Sequence, residues 1–235
     1  MIRRLTTVVA LVLVLLAALA ETSRAQGDER RFIDLKQVPV EGSAAQDFAP
    51  RGWKIEEEIK GDLNADSRPD TVVKLIEDLP AETSDGALND RYRALLVLAG
   101  GADGKLQRVG AATRLLRCTG CGGVLGDPGG GDVKIEKGVL IISQLYGSRE
   151  SVDITQRFRY DPRLKRFMLI GEDVENRDRA VGTSVIESSN YLTGVKTIKE
   201  TRYNQKNDRD VVVSSTTKRI PTKKRFLEDI DYDEQ

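Results

Sequence analysis

The stretch "DITQRFRYDPRLKRFMLIG", residues 153–171, decides the fold class. Ile154, Phe158 and Tyr160 fall on one face and the arginines between them on the other, the period of two that belongs to a half-buried strand. Asp161-Pro162-Arg163-Leu164 breaks the alternation, and the proline presets the dihedral that a tight turn needs. Two strands and a turn make a hairpin. Upstream, "VKIEKGVLIIS" (133–143) repeats the design around the two-residue turn Lys137-Gly138. Downstream, "SSNYLTGVKTIKE" (188–200) turns at Thr193-Gly194, and "DVVVSSTTK" (210–218) adds a further strand. The last two strands are polar on both faces, so they are expected at an exposed edge.

Nearer the N-terminus, "TVVKLI" (71–76) and "RALLVLAG" (93–100) are continuous apolar runs of strand length, as a buried strand requires. No long segment carries a helical stripe. The expected fold is all-β and mainly antiparallel: a single domain built as a meander of hairpins, in a sandwich or a partial propeller-like arrangement. Residues 48–227 are expected to form that domain, with 26–47 a loosely docked, flexible lead-in and 228–235 a solvated acidic tail. Residues 80–92 and the glycine-rich 122–132 are the expected flexible loops.

Residues 1–25 have the order of a secretory signal: Arg3 and Arg4, an apolar run from Leu5 to Ala20, then Ser23 and Ala25 at cleavage spacing. A retained anchor is the alternative reading of so apolar a run. Cleavage would remove three basic residues and one acidic residue, leaving 34 basic against 36 acidic. The expected location is the periplasm or the medium. A balanced, mixed charge excludes electrostatic capture of nucleic acid. The chain has no histidine, which excludes Ser-His-Asp and Cys-His catalysis and every imidazole-bound zinc.

"GDLNADSRPD" (61–70) places Asp62, Asn64, Asp66, Arg68 and Asp70 at positions 1, 3, 5, 7 and 9 of a loop that wraps calcium, Arg68 through its carbonyl. Val73 stands where an EF-hand needs glutamate, so the loop runs into a strand instead. Ser67 occupies the position that favours glycine, because the backbone there is left-handed. The alternative is an Asx-turn connector with solvated carboxylates. Cys118 and Cys121 form a CxxC, read as a structural disulfide after export; a redox site or free thiols are the alternatives.

"FAPRGWKIEEEIKGDLNADSRPD", "CTGCGGVLGDP", "IEKGVLIISQLYGSR", "FRYDPRLKRFMLIGED" and "NYLTGVKT" follow one another in an order that resembles a group of uncharacterised exported bacterial proteins. These in turn resemble FG-GAP or VCBS sequences, whose calcium loop recurs in integrin-like β-propellers. The similarity runs from Phe48 to Lys196, with one loop and no internal repeat. It implies calcium at Asp62, Asn64, Asp66 and Asp70, and it implies no enzymatic activity.

The resulting expectation is a non-enzymatic envelope β-domain that binds a protein or glycan, with no membrane span after cleavage. Two rivals remain. One is a hydrolase of an envelope polymer using paired carboxylates among Glu150, Asp153, Glu172 and Asp173. The other is an inhibitor of a secreted enzyme that presents loop 122–131. For a binding surface, Tyr146 and Arg149 are the expected contributors.

Overall fold

The computed structural model describes residues 32–126, 130–222 and 224–234. The signal segment and the first part of the lead-in lie outside the described residues. Residues 32–235 form one compact unit. Its strands are β1 (Glu41–Gly42), β2 (Trp53–Gly61), β3 (Asp70–Glu77), β4 (Arg93–Gly100), β5 (Leu106–Ala112) and β6 (Asp132–Glu136). There follow β7 (Val139–Gly147), β8 (Glu150–Asp161), β9 (Arg166–Asp178), β10 (Thr183–Asn190), β11 (Val195–Asn204) and β12 (Arg209–Arg219). Every named strand pairing is antiparallel.

The strands divide into two open sheets, five strands in the order β1-β5-β4-β3-β2 and seven in the unbroken meander β12-β11-β10-β9-β8-β7-β6. The hairpins fall where the turn residues place them. Lys137 and Gly138 both have positive φ between β6 and β7, the backbone of a two-residue hairpin turn. Asp161 fastens the β8–β9 turn by accepting the Arg163 and Leu164 amides. The two sheets share a core, as a sandwich does rather than a ring of blades. Val72, Leu95 and Val97 of the first sheet meet Leu140, Ile142, Phe158 and Phe167 of the second. At the closest crossing, a Cβ on Gly61 would lie 2.7 Å from Ile135, so only glycine fits between β2 and β6.

The outer face of the first sheet is covered as well. Ile33, Val38, Ala45 and Phe48 pack on Val73, Leu75, Ala94, Leu96 and Leu98. Burial on both faces is why β3 and β4 are continuously apolar. It also corrects the reading of 26–47 as a loose lead-in: from Ile33 on, this segment is a layer of the domain, and Val38 is 2% exposed. The acidic tail is corrected in the same way. Leu227 and Ile230 enter the inner core, and Tyr232 is buried. The tail's acids are held by cations distant in sequence, Arg166 to Glu228 and Asp229, and Arg114 to Asp231.

At one end the core turns polar. Arg93, fully buried, is gripped by both carboxylate oxygens of Glu56 at 2.7 and 2.8 Å and donates to the Arg117 carbonyl. Buried Lys74 pairs with Glu57 and reaches the Gly131 carbonyl. A buried cation needs such partners to offset the loss of hydration. These contacts anchor the ends of the glycine-rich loop.

Strands β10–β12 contribute no residue to either apolar cluster among the described residues. They extend the seven-stranded sheet past its partner, with both faces open.

Candidate functional site

The aspartate loop is built from its own hydrogen bonds. Asp62 accepts the amides of Asn64, Ala65 and Ser67, and Asn64 accepts that of Asp66. These Asx turns carry Ala65 and Ser67 into left-handed backbone, φ 63° and 66°. The left-handed position at Ser67 is therefore real, and serine adopts it at about 1–2 kcal/mol relative to glycine. Asp70 is buried and accepts Leu63 N–H at 2.8 Å and Gly100 N–H at 3.1 Å, pinning the loop to the end of β4. Burial pushes the Asp70 carboxyl above its ordinary range, against the pull of those two amides.

Arg68 supplies what its position in the sequence did not reveal. Its guanidinium pairs with Asp66 and also donates to the Gly100 carbonyl at 2.9 Å. The Arg68 amide, with further help from the guanidinium, holds the Asp66 carboxyl below the usual range. The donors thus face backbone amides and Arg68 rather than one common point. Among the described residues no group of three or more acidic or cysteine side chains is placed to hold a metal ion.

Cys118 and Cys121 are bonded to each other, with Cα atoms 5.0 Å apart. The bridge closes a corner against the end of β7, where the Gly147 amide donates to the Gly122 carbonyl at 2.8 Å. Beside it the Arg117 guanidinium lies 3.5 Å over the Tyr146 ring, and it donates to the Tyr232 carbonyl. The Arg117 guanidinium ties Tyr146 to this corner.

Tyr146 opens onto a groove of about 800 Å³ on the inner face of the open half-sheet. Its floor is one row across the sheet. Tyr146 stands opposite Val152, Val152 opposite Asn176, Asn176 opposite Val185, and Val185 opposite Glu200. A bulge in β12 turns Val213 onto the far wall, and Arg202 stands at the rim. The surface the groove exposes is mainly apolar, with Tyr146, Val152, Val185 and Val213 set among residues that are mostly polar or charged. Val185 and Val213 are exposed.

The carboxylates expected for hydrolysis are divided between the two faces of the sheet. Asp173 lies on the opposite face of the sheet, ion-paired with Arg157 at 2.7 Å and hydrogen-bonded by Ser188. Asp153 is on that face too, across from Glu175. Glu172 faces inward, but Gln156 and Tyr191 occupy its oxygens at 2.7 and 2.9 Å. Burial, with the Glu172 charge, pushes the Tyr191 phenol up to about 12, so it stays a donor. Glu150 pairs with Asp178 in the ladder, six residues from Glu172 along β9. That is roughly 20 Å at strand rise, twice the widest carboxylate spacing of a glycosidase. Asp178 itself caps a turn and is held below the usual range by Arg149. Arg149 is thereby committed to the rim, and of the two expected surface residues only Tyr146 lines the floor.

Among the described residues, no helix is long and apolar enough to cross a membrane. No protein family, curated protein or solved structure matches the chain.

Proposed function

We propose that this chain is an exported, non-enzymatic β-domain that binds a protein or glycan of the cell envelope on the open half of its seven-stranded sheet. The observation that carries the reading is the groove at Tyr146, Val152, Asn176, Val185 and Val213, because it is apolar, open and left without a facing layer. A monomeric domain seldom leaves such a surface without use. Dispersal of the candidate carboxylates over both faces of the sheet supports a binding role over hydrolysis. The disulfide corner serves the surface by fixing Tyr146. Calcium enters this reading only as an added staple of the aspartate loop, and to ligate it Asp66 must first release Arg68.

The test is co-sedimentation of residues 26–235 with isolated envelope material, alongside Val185→Arg. The proposal expects sedimentation of the parent chain, loss of it in the variant, and no soluble saccharide or peptide released. Release of fragments by the parent chain would make it a hydrolase. Equal sedimentation of both proteins would move the binding surface elsewhere.

A further inference from the structure

The open half-sheet ends on β12, eleven residues long and exposed along nearly its whole length. The other sheet edges are protected. Strand β1 has two residues. Strand β2 carries a bulge at Glu56 and alternating charges, and β6 is five residues with Asp132, Lys134 and Glu136 outward. Short length, charge and bulges are the devices that keep an edge from pairing. In contrast, β12 has Val211, Val212 and Val213 in a row, all exposed.

The register gives this edge a definite chemistry. Arg209 stands opposite Asn204 and Val211 opposite Arg202, while Thr216 and Lys218 stand opposite Ile198 and Lys196. With the bulge at Val213 taken into account, Arg209, Val211, Val213, Ser214, Thr216 and Lys218 share the groove side. Two cations therefore bracket an aliphatic centre. Asp210, the one acid in the strand, faces the other way and is held by Arg177 at 2.6 Å. Among the described residues neither Arg209 nor Lys218 has an ion-pair partner.

We infer that β12 is a docking edge that takes an extended segment of a partner protein as an added strand, acidic at both ends and aliphatic between. The segment continues the groove wall, and main-chain hydrogen bonds supply affinity while alternate side chains supply selectivity. With the bulge subtracted, the two cations are eight ladder steps apart, about 27 Å. A second copy of this chain is the wrong occupant. Antiparallel pairing that keeps the two groove sides on one face sets Arg209 of each copy against Lys218 of the other. This inference rests on the reading of the open half-sheet as the binding surface.

The probe is a nine-residue synthetic peptide with glutamate at both ends and alternating threonine and valine between, so that acids and valines share one face. A matched peptide has lysine at both ends. Fluorescence anisotropy against residues 26–235 at low salt is expected to favour the glutamate peptide by roughly tenfold, and added salt to reduce the difference. The exposed double variant Arg209→Glu/Lys218→Glu should invert the preference, and Val213→Lys should weaken both peptides. Three results overturn the inference: no binding of either peptide, equal binding of both, or a preference that the double variant leaves unchanged. Self-association of the parent chain that Val213→Lys abolishes would also overturn it, in favour of a second copy. Failure of the peptides with Val185-dependent envelope binding intact would remove the docking edge alone and leave the groove standing.

Discussion

Phe48→Ala tests whether the segment before β2 is a structural layer. The ring is fully buried against Val73, Leu75 and Leu96, and its edge lies close enough to Gly42 that a Cβ there would meet it at 2.8 Å. Removing a buried phenylalanine loses its transfer free energy and leaves a cavity, together about 3–5 kcal/mol. Collapse around the cavity is restricted, since β3 and β4 are packed on both faces. That loss is a large share of the roughly 5–15 kcal/mol that holds a domain together. At about 2–4 °C per kcal/mol for a chain of this size, the melting midpoint should fall by roughly 10 °C. Urea titration should give a lower midpoint with an unchanged slope, because the surface exposed on unfolding is the same. Val40→Ala is the control, a residue of the same segment that is 59% exposed. A loss below about 1 kcal/mol for Phe48→Ala, no larger than for Val40→Ala, would refute the packed layer.

Other consequences concern charge. Arg68→Ala removes the cation that now neutralises Asp66, so millimolar calcium should raise the melting temperature of this variant more than that of the parent chain, and Asp66→Ala should abolish the effect. Identical melts in calcium and chelator for both proteins would retire calcium from the loop. Asp153 sits across from Glu175, and burial first, then that neighbouring charge, pushes its carboxyl above the ordinary range. A raised carboxyl opposes folding only when ionised, so Asp153→Asn should be more stable than the parent at neutral pH. Like charges directly opposite on a sheet cost roughly 0.2–1 kcal/mol. The advantage should vanish as the pH falls through the raised value and below about 3.9, where the parent carboxyl is protonated in both states. A pH-independent advantage would show that packing, not charge, is responsible.

The hairpins were legible because their signals are local. Gly138, Pro162 and Gly194 mark turns, and period-two alternation marks the strands between them. The partition into two sheets was not legible. Strand β5, "LQRVGAA", has Val109 as its single β-branched residue, and a small residue is needed at Gly110 because it lies under Phe167. The packed ends escaped notice for a related reason. Val38, Ile230 and Tyr232 are isolated apolar residues in polar segments, and the acids of the tail are stabilised by arginines far away in sequence. At the aspartate loop the spacing gave the turns and the left-handed Ser67, but the side chain of Arg68 was overlooked as an internal cation. The groove was the least visible feature. Its floor is assembled by strand register from segments up to about fifty residues apart, and no single segment carries its pattern.

The most direct measurement of the central claim is amide hydrogen exchange of residues 26–235 with and without sedimented envelope material. Binding on the open half-sheet predicts new protection in 146–152, 183–187 and 209–214, with the doubly covered β3 and β4 unchanged. Protection confined to other segments, or none in the presence of bound envelope material, would contradict it.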